Sequence, residues 1–409
     1  MTAQKTEFEN GVILTTFTAQ ENDVSIDLII PSGHSDKVPE AHFLEHMTFK
    51  SNTYKNAEKI VYELEGKAIR YDGWTSDDRT HFHMLSPPEH ITTAIQILFE
   101  CFSNKQFNLE EVELEKNILK SELGSTLLNP FSTFEKKLKS TVFHNHPLNV
   151  QEETYENIQA VTPETLINAK QRLFFTYDFV IGVSGQINRN ELVKMVAETF
   201  GSLKKTKQKK QHLPAKEHKH HEEFEERADI DSGCVLVAFP VIGIDHSDSY
   251  IIDFISHLLG GSMGGYAFSN RLFQEIRAKK GLAYEVHTLY EKYPGVGMFI
   301  LSSSGMKKEH VPIVKKIILN QLEQLKTKDI PRGEFKRVKT NILVNVYRNL
   351  YTRIQSISGS MGLAELYGIP WGYELFKQQI DSLTPEKIRE VANTYFDGQY
   401  FIGEVVPKK

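Results

Sequence analysis

The chain has 409 residues, 40% of them hydrophobic and 25% charged, with a formal net charge of −5. Those are the proportions of an ordinary globular protein, long enough for two or three domains with cores of their own. The acidic balance gives no case for nucleic acid or an anionic membrane surface as main partner, and no apolar run approaches the length of a membrane span. The two cysteines, Cys101 and Cys234, stand far apart in apolar runs and read as core residues in a reducing compartment. The opening MTAQKTEFENG has no signal or transit character, so the expected location is cytoplasmic.

In chain order, Gly11 to Thr18 and Val24 to Pro31 are β-branched, alternating runs around a polar turn, hence strands. A polar loop, Ser32 to Glu40, leads into a helix that carries two histidines. Asn56 opens a second helix that stops at Gly66. Ala68–Trp74 and Thr80–Leu85 read as strands, followed by a helix from Pro87 to Phe102 and a long one from Leu109 to about Leu127. Thr162-Pro163-Glu164 is a helix start with Thr as N-cap and Pro in the first turn. Tyr177–Ser184 reads as a strand and Asn188–Gly201 as a helix. The charged segment from Lys204 to Glu226 breaks the pattern and reads as a linker with four histidines, His212, His218, His220 and His221. A solvated charge run explains these better than a metal site, because nothing rigid supports them. The expected division is therefore 1–203, a linker at 204–226, and 227–409.

After the linker the grammar repeats: a strand at Ser232–Val241, a helix at Ser247–Leu259, a glycine-rich loop at 260–265, strands at Ala283–Tyr290 and Gly297–Ser303, and helices at Glu309–Leu325 and Arg332–Leu350. Lys116-Asn117-Ile118-Leu119 matches Thr340-Asn341-Ile342-Leu343 at an offset of 341 − 117 = 224. The same offset takes Phe49 to Phe273, and takes His42, Glu45, His46 and Glu122 to Tyr266, Ser269, Asn270 and Val346. Two copies of one domain are expected, with the polar cluster in the first alone.

That cluster centres on Ala41–Lys50, AHFLEHMTFK. In a helix, His42 and His46 lie four apart on one face, with Glu45 at its edge. Two imidazoles so spaced can share a tetrahedral metal ion, and the unligated carboxylate can take a proton from a water there. A catalytic zinc site also needs a third ligand. The long helix offers Glu110, Glu111, Glu113, Glu115 and Glu122; the last two lie seven apart, and Glu122 stands among Ile118, Leu119 and Leu123.

The H-x-x-E-H motif at His42–His46, a carboxylate 122 − 46 = 76 positions later, and RLFQEIRAKKGLAYEV at Arg271–Val286 together resemble the pitrilysin family. These zinc peptidases include insulin-degrading enzyme and the mitochondrial processing peptidase. The resemblance covers nearly the whole chain. It implies an α+β fold of two homologous domains, each a largely antiparallel sheet packed with helices, enclosing a chamber. It implies one zinc ion on His42, His46 and Glu122, with Glu45 as general base and Glu115 orienting a ligand. It singles out Arg277 and Tyr284 as groups that hold the substrate carbonyl, although a basic surface helix and a strand-core aromatic would otherwise account for them. It places Asp72, Gly73, Trp74 and Thr75 on an edge strand that pairs with extended peptide. The family more often has Asn-Ala at Asp72-Gly73 and Lys-Gly-Thr near Lys50-Ser51-Asn52-Thr53, which bears on substrate choice more than on zinc.

The implied activity is endoproteolysis of short unstructured or leader-type peptides. Long family members carry four such domains, so a two-domain chain is expected to form a homodimer or to pair with a related subunit. The rivals are a non-catalytic binding subunit, a half that works only beside a partner, and a zinc hydrolase of another substrate class.

Overall fold

A computed structural model describes residues 3–50, 56–144, 146–149, 153–204, 208–211, 222–261, 268–351, 353–398 and 400–408. The fold is α+β and is built on two sheets. The first contains β1 (Gln4–Glu7), β2 (Ile13–Thr18), β3 (Val24–Ile30), β4 (Arg70–Thr75), β5 (Thr80–Ser86) and β6 (Val180–Gly185), in the order β1-β2-β6-β3-β5-β4. The second contains β7 (Glu222–Ala228), β8 (Gly233–Val241), β9 (Glu285–Tyr293), β10 (Val296–Met306) and β11 (Phe401–Pro407), in the order β7-β11-β8-β10-β9. Each is antiparallel apart from one parallel pair, β2 with β6 and β7 with β11.

The helices of the first half are α1 (Glu40–Thr48), α2 (Ala57–Gly66), α3 (Ile91–Ser103), α4 (Leu109–Leu127), α5 (Pro130–Val142), α6 (Tyr155–Gln159), α7 (Pro163–Phe174) and α8 (Arg189–Glu198). Those of the second are α9 (Ser249–Leu259), α10 (Val311–Thr327), α11 (Arg332–Tyr351), α12 (Ile354–Tyr367), α13 (Tyr373–Asp381) and α14 (Pro385–Tyr395), with a π-helical turn at Phe273–Ala278. Local chemistry starts several of them. Asn56 caps α2 by accepting from Lys59 N, and Thr162 and Thr165 form a reciprocal box at α7 with Pro163 in the first turn.

The two sheets carry one topology. In each, a strand is followed by two helical segments, a hairpin, a run of helices and a last strand that returns beside the first. This order pairs β3 with β8, β4 and β5 with β9 and β10, and α4 with α11. It also pairs α1 with α9. The offset of 224 therefore holds along α4 and α11 but not along α1, whose counterpart is Ser249–Leu259 rather than 266–270. Of that expected match, Tyr266 lies outside the described residues.

Two compact units emerge, and neither is a contiguous half. The first comprises Met1–Ser125, Val150–Gln211 and Arg348–Tyr373; the second comprises Thr126–Asn149, His212–Tyr347 and Glu374–Lys409. Helices α5 and α12 hold equivalent places in the two copies, and each belongs to the other copy's unit. The expected linker also ends early, because Glu222 to Glu226 form most of β7. This strand, EEFEERA, is an edge strand whose charges keep its free side from pairing with other chains, and those charges hide it in the sequence. Ser51, Asn52, Thr53, residues 262–265 and the four linker histidines lie outside the described residues.

In the first unit β3 is buried on both faces. Ile26, Leu28 and Ile30 enter the core with Phe43, Leu44, Phe82 and Phe102. The alternate residues Ser25, Asp27 and Ile29 meet α12. Contact there is close. A Cβ on Gly182 would lie 2.3 Å from Ser358 O, and one on Gly362 would lie 2.9 Å from Ile29 Cδ1. Ser358 donates to Ser25 Oγ at 2.8 Å. His81 Nε2 and His83 Nδ1 donate to Asp27 Oδ1 at 2.5 and 3.1 Å. Burial alone would raise the Asp27 carboxyl, but these hydrogen bonds and the imidazole charges hold it at about 2. A depression of that size is worth about 2 kcal/mol, present above pH 4 and lost as the pH falls from about 4 to about 2. Asp27→Asn should therefore lose about 2 kcal/mol in urea unfolding at pH 6, with the deficit closing towards pH 2. A deficit independent of pH would mean that the Asp27 charge is not its source.

Candidate metal centre

Helix α1 is split by its sequence into two faces. Ala41, Phe43, Leu44, Met47 and Thr48 are buried, whereas His42, Glu45 and His46 are partly exposed. The loop before it is pinned to the β4–β5 turn: His34 N donates to Ser76 O at 3.0 Å and Ser35 N to Asp77 O at 2.7 Å. Gly33 makes this possible, since a Cβ there would lie 2.2 Å from Ser76 O.

Helix α4 supplies two carboxylates with different tasks. Glu115 is buried and accepts from His46 Nδ1 at 2.8 Å and from Lys50 Nζ at 3.1 Å. Burial works against its charge, but the His46 and Lys50 hydrogen bonds win and lower its pKa. Burial likewise works against a charged His46, and Glu115 with the neighbouring carboxylates raises its pKa instead. Glu122 is different. Its side chain is 50% exposed, and Ile118 beside it is also exposed, so it approaches from an open side and not from the core as its apolar neighbours suggest. Its Oε2 lies 3.8 Å from His42 Nε2 and 3.7 Å from His46 Nε2. The three ligand atoms lie within 4.8 Å of one another, the one such group among the described residues. Two ligands of a tetrahedral zinc ion, each about 2.1 Å away, are separated by about 3.4 Å. The donor set therefore fits: two imidazoles with Nδ1 turned to carboxylates, and one further carboxylate. Glu111, another carboxylate of the same helix, has a buried Oε2 without a hydrogen-bond partner and a pKa raised by burial.

The sequence reading missed two residues here. Glu153 Oε1 accepts from His42 Nδ1 at 3.2 Å, across 111 positions of chain. The His34 ring stands 5.4 Å from that of His42, at 73°. The local signal for Glu153 is the capping box that follows it, Thr154 with Asn157, which marks a rigid helix start but not what lies beside it.

Glu45 remains unpaired by any ligand-holding task. Burial raises its pKa against the charges of His46 and His42. It abuts β4, an edge strand of the first sheet. A Cβ on Gly73 would lie 3.0 Å from Glu45 Oε1 and 3.2 Å from Phe82 Cδ1. Gly73 and Thr75 thus face the histidines. Asp72 and Trp74 point to the other side of the sheet, where the Trp74 ring packs 4.0 Å from His81.

Arg277 and Tyr284 belong to the second unit and form a pair. The guanidinium lies 4.4 Å from the Tyr284 ring centre, and Nη1 donates to the Tyr284 carbonyl at 2.7 Å. Tyr284 is 65% exposed, so it is no core aromatic. With Glu285, His287 and Ser304 it lines a cavity of about 750 Å³ within that unit. Cys101 and Cys234 are buried thiols, as expected. No described helix is long and apolar enough to cross a membrane.

Residues 12–153 match the profile of the family described as insulinase (peptidase family M16), and residues 160–342 match that of the peptidase M16 inactive domain. The uncharacterized zinc protease YmxG of Bacillus subtilis is 24% identical over 98% of this chain and 97% of its own. An uncharacterized zinc protease of Rickettsia bellii is 24% identical over 83% of this chain and 82% of its own. The crystal structure of a protease from Helicobacter pylori superposes with a TM-score of 0.89 at 20% identity, covering 99% of both chains. A peptidase M16 inactive domain from Pseudomonas fluorescens superposes equally well, at 18% identity over 100% of this chain and 99% of the other. With both family profiles matched in order along one chain and relatives named as zinc proteases, this chain is a member of the M16 metallopeptidase family.

Proposed function

We propose that this chain is a zinc-dependent endopeptidase of the cytoplasm that cleaves short, unstructured or leader-type peptides. One observation carries the reading: the Nε2 atoms of His42 and His46 converge on Glu122 Oε2 while the adjacent Glu45 is left free for a proton. His42, His46 and Glu122 would hold the ion. When bound, zinc supplies Lewis acidity towards the scissile carbonyl and brings the pKa of a water towards neutrality. Glu45 takes the proton from the attacking water and passes it to the leaving amine; the burial that raises its pKa brings it closer to the working range of a general base. Glu115 holds His46 in the tautomer that presents Nε2. The backbone of β4 suits an added strand of extended peptide, with Gly73 and Thr75 on the side of the histidines. To Arg277 and Tyr284 we assign the substrate carbonyl, a task suited to a cation and a phenol held together. We propose a dimer as the working form, of this chain alone or with a related subunit.

The test is cleavage of a mixed pool of unstructured peptides, read by mass spectrometry. Glu45→Gln should retain zinc and lose about 10²–10⁴-fold in turnover, and chelation should abolish cutting in the wild type. An active Glu45→Gln variant would remove Glu45 from the mechanism. Zinc bound without any cutting would favour a partner-dependent subunit.

The contact of Glu45 with β4 yields a second prediction. Gly73→Val places a branched side chain against Glu45 Oε1 and should lower kcat by about tenfold or more, with zinc stoichiometry unchanged. Wild-type kcat in that variant would show that the carboxylate is not positioned by this contact.

A further inference from the structure

Glu153 lies outside the H-x-x-E-H motif and outside α4, yet it does for His42 what Glu115 does for His46. Its Oε1 is 3.2 Å from His42 Nδ1, beside the Glu115–His46 distance of 2.8 Å. The Glu153 side chain is 15% exposed and that of His42 20%, so water competes little for the hydrogen bond. The carboxylate is also held by its backbone. Thr154 N donates to Asn157 Oδ1 at 2.9 Å and Asn157 N donates to Thr154 Oγ1 at 3.1 Å, which locks the chain immediately after Glu153 at the start of α6. The ring of His42 is bounded on its other sides by imidazoles, His34 at 5.4 Å and His46 at 4.7 Å between ring centres, both nearly perpendicular to it. His34 is itself tied to the β4–β5 turn, where its backbone N donates to Ser76 O at 3.0 Å.

We propose that Glu153 is a positioning residue for the metal centre, so that each histidine ligand has its own carboxylate. This rests on the zinc reading above and extends it to a residue that no motif marks. A carboxylate at Nδ1 fixes the proton there, turns the Nε2 lone pair towards Glu122, and makes that nitrogen a stronger donor. Two such pairs explain how a helix with three partly exposed polar residues presents both imidazoles in one orientation.

The experiment uses the full chain and zinc(II) alone. Zinc affinity is measured by competition with a chromogenic chelator, and the visible spectrum of the cobalt(II)-loaded protein reports the ligand geometry. Glu153→Ala should weaken zinc binding about 10–100-fold, and Glu153→Asp should recover part of it. The melting temperature of the metal-free protein should not move, since a purely structural residue would change it without any preference for a carboxylate. His34→Ala should leave affinity within a few-fold of wild type but alter the cobalt spectrum, because it removes an edge contact and not a hydrogen bond to His42. Wild-type affinity and spectrum in Glu153→Ala would overturn the assignment while leaving the zinc reading intact. A wild-type protein that binds no zinc would overturn both.

Discussion

Everything at the centre depends on one kind of interaction, a carboxylate accepting from the Nδ1 of an imidazole. Without it each ring could rotate or hold its proton on Nε2, and the lone pairs would not converge. The energetic obstacle is that Glu115 is buried, and a buried carboxylate must be compensated. His46 and Lys50 compensate it from two directions. The hydrogen bond that makes Glu115 tolerable in the interior is thus the same one that orients the His46 ring. Stability and site geometry are two readings of a single contact.

Around that contact the scaffold supplies rigidity from distant parts of the sequence. Helix α12, from beyond residue 350, closes the face of the first sheet that α1 does not cover. Its Tyr367 hydroxyl contacts Asp78, and Arg79 donates to the same hydroxyl at 2.9 Å. Those two residues lie in the turn that pins the loop before α1. A chain of packed and hydrogen-bonded groups therefore runs from α12 through the β4–β5 turn to His34 and His42. The first unit is complete only with this late helix.

How much of this was legible follows from the range over which each signal acts. Helix α1, its polar face, the caps at Asn56 and Thr162 and the extent of α4 are local, and the sequence showed them. The His42–His46 pair is likewise a matter of helical spacing. Glu122 enters as a candidate through family resemblance alone; its apolar sequence neighbours do not place it in the core, since its side chain is 50% exposed. Strand β7 reads as linker because solvated charges dominate an edge strand that needs only Phe224 and Ala228 turned inward. Glu153 and His34 were invisible because contact across 111 residues of chain leaves no periodicity. The exchange of α5 and α12 is likewise a property of the fold and not of any window.

The two copies themselves bear on what the cluster is for. Helix α9 occupies the place of α1 in the repeated strand and helix order, and eight of its residues, from Ser249 to Leu259, are buried. The residues it leaves partly exposed are Tyr250, Asp253 and His257, where α1 leaves His42, Glu45 and His46. The fold can therefore be built at this position without an H-x-x-E-H set. Keeping instead a raised-pKa Glu45, a buried Glu115 and two oriented imidazoles works against burial at every step. The His42, Glu45 and His46 set is kept against that gradient in one copy and is not repeated in the equivalent helix of the other, an asymmetry that the zinc chemistry proposed for the first site accounts for.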